Sequence, residues 1–171
     1  MAYSRDRALI CESGHVVNEY STLDSFRNLN PDFCATCGAR NIGGCPSCSA
    51  PIPGGTTWTE DYGSTHSTKD KPFVKPDHCV KCGAQFPWTQ ATIAAGLELA
   101  DELDDLSDED RDKLKRSFEE IARDTPQAEV AATRIKKIMA KVGGEGAKSI
   151  GRIAQQLVTQ AAKDALFGPG T

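Results

Sequence analysis

Eight side chains in the amino-terminal half have metal-ligand chemistry: Cys11, His15, Cys34, Cys37, Cys45, Cys48, Cys79 and Cys82, which include all seven cysteines of the chain. Structural zinc takes thiolate sulfur and neutral imidazole nitrogen four at a time. Eight ligands therefore complete two tetrahedral Zn2+ sites with none left over. They come as four short pairs: Cys11-Glu-Ser-Gly-His15, Cys34-Ala-Thr-Cys37, Cys45-Pro-Ser-Cys48 and Cys79-Val-Lys-Cys82. A two-residue gap lets one tight turn present both sulfurs to one ion. Gly38 and Gly83, each directly after the second cysteine of its pair, can take positive φ and turn backbone N–H groups toward the thiolates.

Four pairs can be combined sequentially, nested or cross-braced, and an internal repeat decides among these. Pro31-Asp32-Phe33-Cys34-Ala35-Thr36-Cys37-Gly38-Ala39 matches Pro76-Asp77-His78-Cys79-Val80-Lys81-Cys82-Gly83-Ala84 at Pro, Asp, both Cys, Gly and Ala. The second and fourth pairs are thus copies of one knuckle, and the first and third pairs are expected to be copies of the other. A duplicated unit closes on itself most simply, which predicts Cys11, His15, Cys34 and Cys37 around site one and Cys45, Cys48, Cys79 and Cys82 around site two. Each unit then runs knuckle, β-hairpin, knuckle, the order of a zinc ribbon. Only seven residues separate Cys37 from Cys45, so the two ribbons are expected to sit rigidly against each other.

His15 is the weakest ligand, because a three-residue gap from Cys11 is looser than CxxC; the alternative is an ordinary exposed histidine, with three cysteines and a water at site one. His78 adjoins Cys79, but its counterpart in the first copy is Phe33, so a packing role is expected. His66 lies in a Ser/Thr-rich stretch and is expected to be solvated. An odd cysteine count, CxxC spacing and no signal peptide argue against a disulfide framework. Paired CxxCG turns also occur in rubredoxins, so iron at site two is a rival, whereas a histidine at site one is atypical of that chemistry.

Composition bounds the rest. The chain has 171 residues with 39% hydrophobic and 6% aromatic content, enough for one or two domains. Large apolar residues are sparse in the front half, so metal must supply the missing stability, typically about 10–16 kcal/mol for a structural zinc. A chelator is expected to unfold residues 8–88 and spare the rest. The formal charge is −4, unlike most nucleic-acid binders, which depend on Lys and Arg contacts to phosphates. No apolar run is long enough to cross a bilayer as a helix. Thiolate ligands and an acidic surface predict the cytoplasm.

After Trp88, cysteine, tyrosine and tryptophan disappear and four amphipathic segments follow. The first covers about 90–105, with Ile93, Leu97, Ala100 and Leu103 on one face. Ser107 is a predicted N-cap, followed by Asp108, Glu109 and Asp110 where the helix dipole favours carboxylates. This second helix runs to about 123 and buries Leu114, Phe118, Ile121 and Ala122. Thr125-Pro126 opens the third, with Ala131, Ile135, Ile138, Met139 and Val142 at helical spacing. Gly143-Gly144-Glu145-Gly146 breaks the chain before a fourth helix over about 147–167, which carries Ile150, Ile153, Leu157, Val158, Ala161, Ala165 and Leu166 and ends at Gly168-Pro169. The expected fold class is α+β: a double zinc-ribbon domain over 1–88 and a four-helix domain over 89–171.

Charge in the helical half is polarised. Residues 98–112 hold nine acids and one base, Arg111, while 134–152 hold six bases and one acid, Glu145. The plain expectation is helix faces that attract each other within the bundle; the alternative is a docking surface. Small residues along the fourth helix (Gly146, Ala147, Gly151, Ala154, Ala161, Ala162 and Ala165) make close helix contact plausible. Phe86-Pro87-Trp88-Thr89 is expected to close ribbon two and seat the first helix.

These motifs carry a resemblance. Ile10-Cys11-x-x-Gly14-His15, Phe33-Cys34-x-x-Cys37-Gly38, Cys45-Pro46-x-Cys48 and His78-Cys79-x-x-Cys82-Gly83-x-x-Phe86-Pro87-Trp88-Thr89 resemble a bacterial family of uncharacterised double-zinc-ribbon proteins. The stretch Leu103-Asp104-Asp105-Leu106-Ser107 through Asp124-Thr125-Pro126 and Glu129-Val130-Ala131-Ala132-Thr133-Arg134 is similar to that family's helical tail. His78 departs from the aromatic that usually leads the last knuckle. The family is a domain of unknown function, so the resemblance implies fold and metal sites and no activity.

With every thiol committed to a closed site, no position remains for a catalytic water and no sulfur for a nucleophile. The sequence predicts a non-enzymatic interaction protein, with a protein partner or self-association through the helical tail. The runner-up is a nucleic-acid-binding regulator that uses Arg40, Lys69, Lys71, Lys75 and Lys81 with Trp58. A redox protein with iron in site two comes third.

Overall fold

Strands β1 (Ala2–Arg7) and β2 (Leu9–Cys11) are separated by one residue, Ala8, yet they belong to different sheets. The computed structural model describes residues 2–21, 30–68, 71–123, 125–158 and 160–168. By contacts the chain divides into two units, Met1–Trp88 and Thr89–Thr171. The architecture is α+β: two small antiparallel sheets in the first unit, then helices.

One three-stranded sheet has the order β1-β5-β6, with β5 (Pro53–Thr59) and β6 (Thr65–Ser67) forming a hairpin between the third and fourth ligand pairs. This is the hairpin expected for ribbon two, to which β1 adds from the amino terminus. The other sheet has the order β3 (Val16–Asn18), β2, β4 (Asn41–Ile42). Here the expected plan changes. Strand β3 pairs with β2, and the Cys11/His15 pair forms the tip of that hairpin; residues 22–29, in the stretch where a hairpin between the pairs is expected, lie outside the described residues. The Cys11 N–H donates to the His15 carbonyl (3.0 Å) and the Gly14 N–H to the Cys11 carbonyl (2.7 Å), so Glu12-Ser13-Gly14 is itself the turn. Strand β4 follows the second pair and completes the sheet.

The segment Glu19–Tyr20 crosses β5 at close range. The Gly55 N–H donates to the Glu19 carbonyl (2.9 Å), and a Cβ at Gly55 would run into the Tyr20 ring. The core of this unit is small: Ala8, Ile10, Ala50, Ile52, Phe86 and Trp88, together with the ligands Cys45 and Cys79. Phe86 and Trp88 stack with centroids 4.6 Å apart, and Trp88 Nε1–H donates to the Pro76 carbonyl (2.9 Å). Both rings are buried, so they serve the core and not a partner patch.

In the second unit the helices are α1 (Pro87–Glu102), α2 (Asp108–Ile121), α3 (Pro126–Val142), α4 (Gly144–Leu157) and α5 (Gln160–Phe167). The single base of the acidic stretch explains where α1 stops: Arg111 Nε donates to the Ala100 carbonyl (3.1 Å) and its Nη2 to the Leu103 carbonyl (3.3 Å), occupying carbonyls that a helix end leaves unpaired. Ser107 caps α2, its hydroxyl oxygen accepting the Asp110 N–H at 3.2 Å. Thr125 precedes Pro126 at the start of α3 in extended conformation but makes no side-chain cap bond.

The fourth expected helix is two. The four-residue glycine break contracts to Gly143 (φ 63°, ψ −174°), a backbone region open to glycine alone, and α4 begins at once. Val158 (ψ 132°) then ends α4. Adjacent β-branched Val158-Thr159 disfavours helix at that point, and the bend lets both α4 and α5 pack on α3, burying Leu157, Val158, Ala162 and Leu166. The side chain of Ala161 and residue Pro169 lie outside the described residues. Among the small residues expected to allow close helix contact, Ala154 and Ala162 are fully buried, and a Cβ at Gly151 would stand 3.3 Å from Met139 Cε.

The opposed charges meet within this unit. Lys141 pairs with Asp110 (2.6 Å) and Arg134 with Glu120 (2.8 Å) between α3 and α2, and Lys115 with Asp101 (2.6 Å) between α2 and α1. Each such exposed pair contributes about 0–1 kcal/mol; the apolar stripe does most of the stabilising. Leu114, Phe118, Ile121, Ala131, Ile135 and Ile150 are all fully buried.

Gly96 on α1 tests how tight that packing is. A Cβ there would stand 2.8 Å from Phe118 Cδ2. In an open helix Gly→Ala gains about 1 kcal/mol, but overpacking a filled core costs about 1–3 kcal/mol. Gly96→Ala is therefore expected to lower the Tm of the helical unit in calorimetry; a raised Tm would show that α1 has room to move.

Candidate metal centres

Three of the four ligand pairs have the same backbone. In each CxxC turn the first cysteine N–H donates to the carbonyl of the alanine five residues on (Cys34–Ala39, Cys45–Ala50 and Cys79–Ala84, all 2.8 Å). The residue after the second cysteine donates back to the first (Gly38–Cys34 and Ser49–Cys45 at 2.8 Å, Gly83–Cys79 at 2.9 Å). Single bridges Phe33↔Arg40, Gly44↔Pro51 and His78↔Gln85 close the turns. The third pair is therefore a copy of the second and fourth, not of the first. The repeat was hidden because Ser49 stands where the others have glycine, and it adopts the same left-handed φ, 59° against 72° and 73°.

The turns bring the ligands together in two groups, Cys11, His15, Cys34 and Cys37, and Cys45, Cys48, Cys79 and Cys82, with the ligand atoms of each group within 4.8 Å of one another. The pairs close sequentially along the chain. In the first group Cys11 Sγ lies 3.7 Å from Cys37 Sγ and 3.5 Å from His15 Nδ1, and Cys34 Sγ lies 3.8 Å from the same nitrogen. In the second, Cys45 Sγ lies 3.8 Å from Cys82 Sγ and Cys48 Sγ 3.6 Å from Cys79 Sγ. A tetrahedral zinc with its usual bond lengths has sulfur–sulfur edges of about 3.8 Å and sulfur–nitrogen edges of about 3.6 Å. The donor sets fit that ion. A disulfide needs sulfurs about 2.05 Å apart, and all seven cysteines are free.

Backbone and side-chain donors surround the sulfurs. Cys37 takes the Ala39 N–H and the Ser13 hydroxyl, which lower its pKa to about 6. Cys79 takes the N–H groups of Cys82 and Lys81, also lowering it to about 6. The Thr36 and Cys37 N–H groups lower Cys34. Burial pushes the Cys11 thiol up, against a 3.2 Å bond from the His15 N–H. At Cys82 the Ala84 N–H favours the thiolate, but the neighbouring Cys48 sulfur, burial and the other two sulfurs outweigh it and push the group up to about 12. Hydrogen bonds to the Cys37 and Cys34 sulfurs raise His15.

Two of the surrounding side chains are not ones the sequence singled out for this role. Ser13 lies between the ligands of the first pair. Lys75 is half-buried, with Nζ 5.4 Å from the centre of the Trp88 ring and close over Gly14; burial lowers its pKa, while Asp77 and Cys11 pull the other way. Lys75 thus faces the turn of site one and not an open basic patch. Trp58 is stacked on His66 (5.4 Å), which is exposed as expected and sits on β6 beside Glu60 (3.5 Å). Arg40, Lys71 and Lys81 are exposed, and Lys69 lies outside the described residues. His78, the residue expected to pack, is half-buried, whereas its counterpart Phe33 is 63% exposed: Cys34 points inward, so its neighbour points out.

The molecule is thus an α+β protein whose two cysteine-rich four-ligand groups have the character of a double zinc ribbon. The chain belongs to the family described as uncharacterized protein conserved in bacteria (DUF2321), whose pattern it matches over residues 4–166. No curated protein and no solved structure matches it.

Two measurements probe the sites. A left-handed φ costs a non-glycine residue about 1–2 kcal/mol, so Ser49→Gly is expected to stabilise the first unit by about 1 kcal/mol and Gly83→Ala to destabilise it by a similar amount, read from denaturant midpoints. The second concerns pH. Folded pKa values near 6 for Cys37 and Cys79, against 9.0 for free thiols, mean that the folded sites hold thiolate where an unfolded chain holds thiol. The stabilisation is complete above pH 9 and disappears as pH falls through 6. Cys37 in the first site and Cys79 in the second are then ready for an ion at neutral pH. Cobalt(II) uptake by metal-stripped protein, followed by its thiolate absorption, is expected to slow as pH drops through 6; a flat profile would show that other groups make the first contact.

Proposed function

We propose that the protein is a non-catalytic zinc-binding interaction protein, with the ribbon unit as a rigid docking platform and the helical unit as an assembly element. The carrying observation is that all seven cysteines and His15 gather in two four-membered groups with the edge lengths of a zinc tetrahedron. Zinc held by Cys11, His15, Cys34 and Cys37, and by Cys45, Cys48, Cys79 and Cys82, supplies cross-linking in place of a larger core. With four protein ligands each, neither ion keeps an open position for water, and no thiol is left as a nucleophile. The acids Asp104, Asp105 and Asp108 are exposed in a helix connection, and Asp110 is held below the usual carboxylate range by Lys141; none is poised as a general acid. Reduced thiols suit the cytoplasm, and no described helix is long and apolar enough to cross a membrane.

The test begins with elemental analysis, where two zinc ions per chain are expected and fewer than one would overturn the reading. A chelator is expected to expose residues 8–88 to protease and leave α2 to α4 protected, because each structural zinc contributes about 10–16 kcal/mol. Affinity capture from the native host with the wild-type chain and with Cys79→Ser then locates the partner. A partner lost with the substitution docks on the ribbons; one retained docks on the helices. Turnover of a substrate by the zinc-loaded chain would refute the non-catalytic assignment.

A further inference from the structure

Two concavities in the first unit, of about 380 and about 450 Å3, share Arg5, Pro53 and Val80 as walls. Val80 is 77% exposed, and Val74, which lines the first concavity, is 82% exposed. Aliphatic side chains left out of the core and rimmed by polar groups mark protein contact sites. The rim is basic: Lys71 borders the first concavity, Arg7 and Lys81 the second, and Arg5 both. The acids present are Glu19 in the first and Asp6 in the second; Asp6 is buried and accepts the Arg7 N–H at 3.2 Å. Among the described residues, no ion pair joins Arg5, Arg7, Lys71 or Lys81 to an acid. A chain with formal charge −4 therefore presents a local cationic surface around two exposed valines.

We propose that this surface docks an acidic segment of a partner protein that carries short aliphatic side chains. The aliphatic groups seat against Val74, Val80 and Pro53, and the carboxylates meet Arg5, Lys71 and Lys81. A single-stranded nucleic acid would supply the negative charge, but it stacks its bases on exposed rings, and Phe73, the aromatic residue lining the first concavity, packs against the core instead; a duplex supplies phosphates but no aliphatic groups to seat against Val74 and Val80. Val80 and Lys81 lie between the ligands Cys79 and Cys82, so ligation fixes them before a partner arrives and lowers the ordering cost of binding. The proposal rests on the interaction reading above and names its surface.

The experiment uses the full zinc-loaded chain and three fluorescent probes: a peptide of alternating Asp or Glu with Val or Leu, the same peptide with Lys in place of the acids, and an oligothymidylate. The acidic peptide is expected to bind, by anisotropy, and the lysine peptide not to. Val80→Asp and Arg5→Glu are each expected to weaken binding by about tenfold or more, Arg152→Glu on α4 to leave it unchanged, and added salt to weaken it. Zinc content confirms folding of each variant, and Val74→Asp, outside the knuckle, repeats the test if Val80→Asp loses its ion. Equal binding of both peptides, indifference to all three surface substitutions, or preferential capture of the oligothymidylate would overturn the proposal. A partner still captured by a zinc-loaded Val80→Asp chain that no longer binds the peptide would remove this surface and leave the adaptor reading standing.

Discussion

The repulsion among clustered sulfurs governs the first unit. Sulfurs stand 3.6–3.8 Å apart in both groups. Two like charges at that separation repel by about 4 kcal/mol at the effective dielectric near a protein surface. The groups by themselves therefore resist full ionisation, which is visible in the way its sulfur neighbours hold Cys82 protonated up to about 12. A divalent cation at the centre would add an attraction to each thiolate that outweighs these repulsions. It also has much to support. The apolar cluster of this unit holds only a few large side chains, and it counts Cys45 and Cys79 among its members. Cys45 and Cys79 are ligands and core residues at once, so the second ligand group and the core are one packing unit.

The chain path links the two sites into one unit. Ala8 is buried, its N–H donates to the Ile52 carbonyl (2.9 Å), and it divides one continuous stretch between the two sheets. Strand β1 thereby completes the sheet of site two, although it precedes the first ligand of site one. A second link runs the other way. Lys75 and Trp88, from the segment around the last knuckle, close over Gly14 in the turn of the first pair. Gly14 has φ +90°, and any Cβ there would meet both side chains. The two ligand groups thus share a strand boundary at Ala8 and a contact over the turn at Gly14.

Ligand chemistry was legible in the sequence because it is local: CxxC spacing nearly dictates its own turn, and the match of residues 31–39 to 76–84 identified two knuckles directly. The third knuckle was misassigned because Ser49 lacks the glycine that advertises a left-handed turn, so its kinship shows only in backbone bonds. Strand pairing was harder still. Nothing in residues 2–7 indicates that they pair with 53–59, since that register depends on Tyr20 crossing Gly55 and on a core assembled from distant segments. In the helical unit, periodic apolar residues and the Ser107 and Pro126 starts placed α2 and α3 closely. The break at Val158 was missed because the apolar stripe continues through it; the gain from folding α5 back onto α3 is tertiary and leaves little local trace.

The turns that gather the sulfurs also decide what the protein can show to others. Each pair holds a short loop between its ligands, and all four loops are exposed: Glu12-Ser13, Ala35-Thr36, Pro46-Ser47 and Val80-Lys81. Three of the loops have superimposable hydrogen bonding, so their backbones cannot account for any difference in role. Two of these three present small or weakly polar groups. The last presents an exposed aliphatic side chain beside a lysine, next to Arg5 from a strand that joins this sheet from the far end of the sequence. Folding gains nothing from a valine that is 77% exposed, since apolar surface left in water contributes no burial energy. A residue that stability does not require, on a turn whose geometry is fixed by its own backbone hydrogen bonds, is where a constraint from outside the fold is most economically recorded.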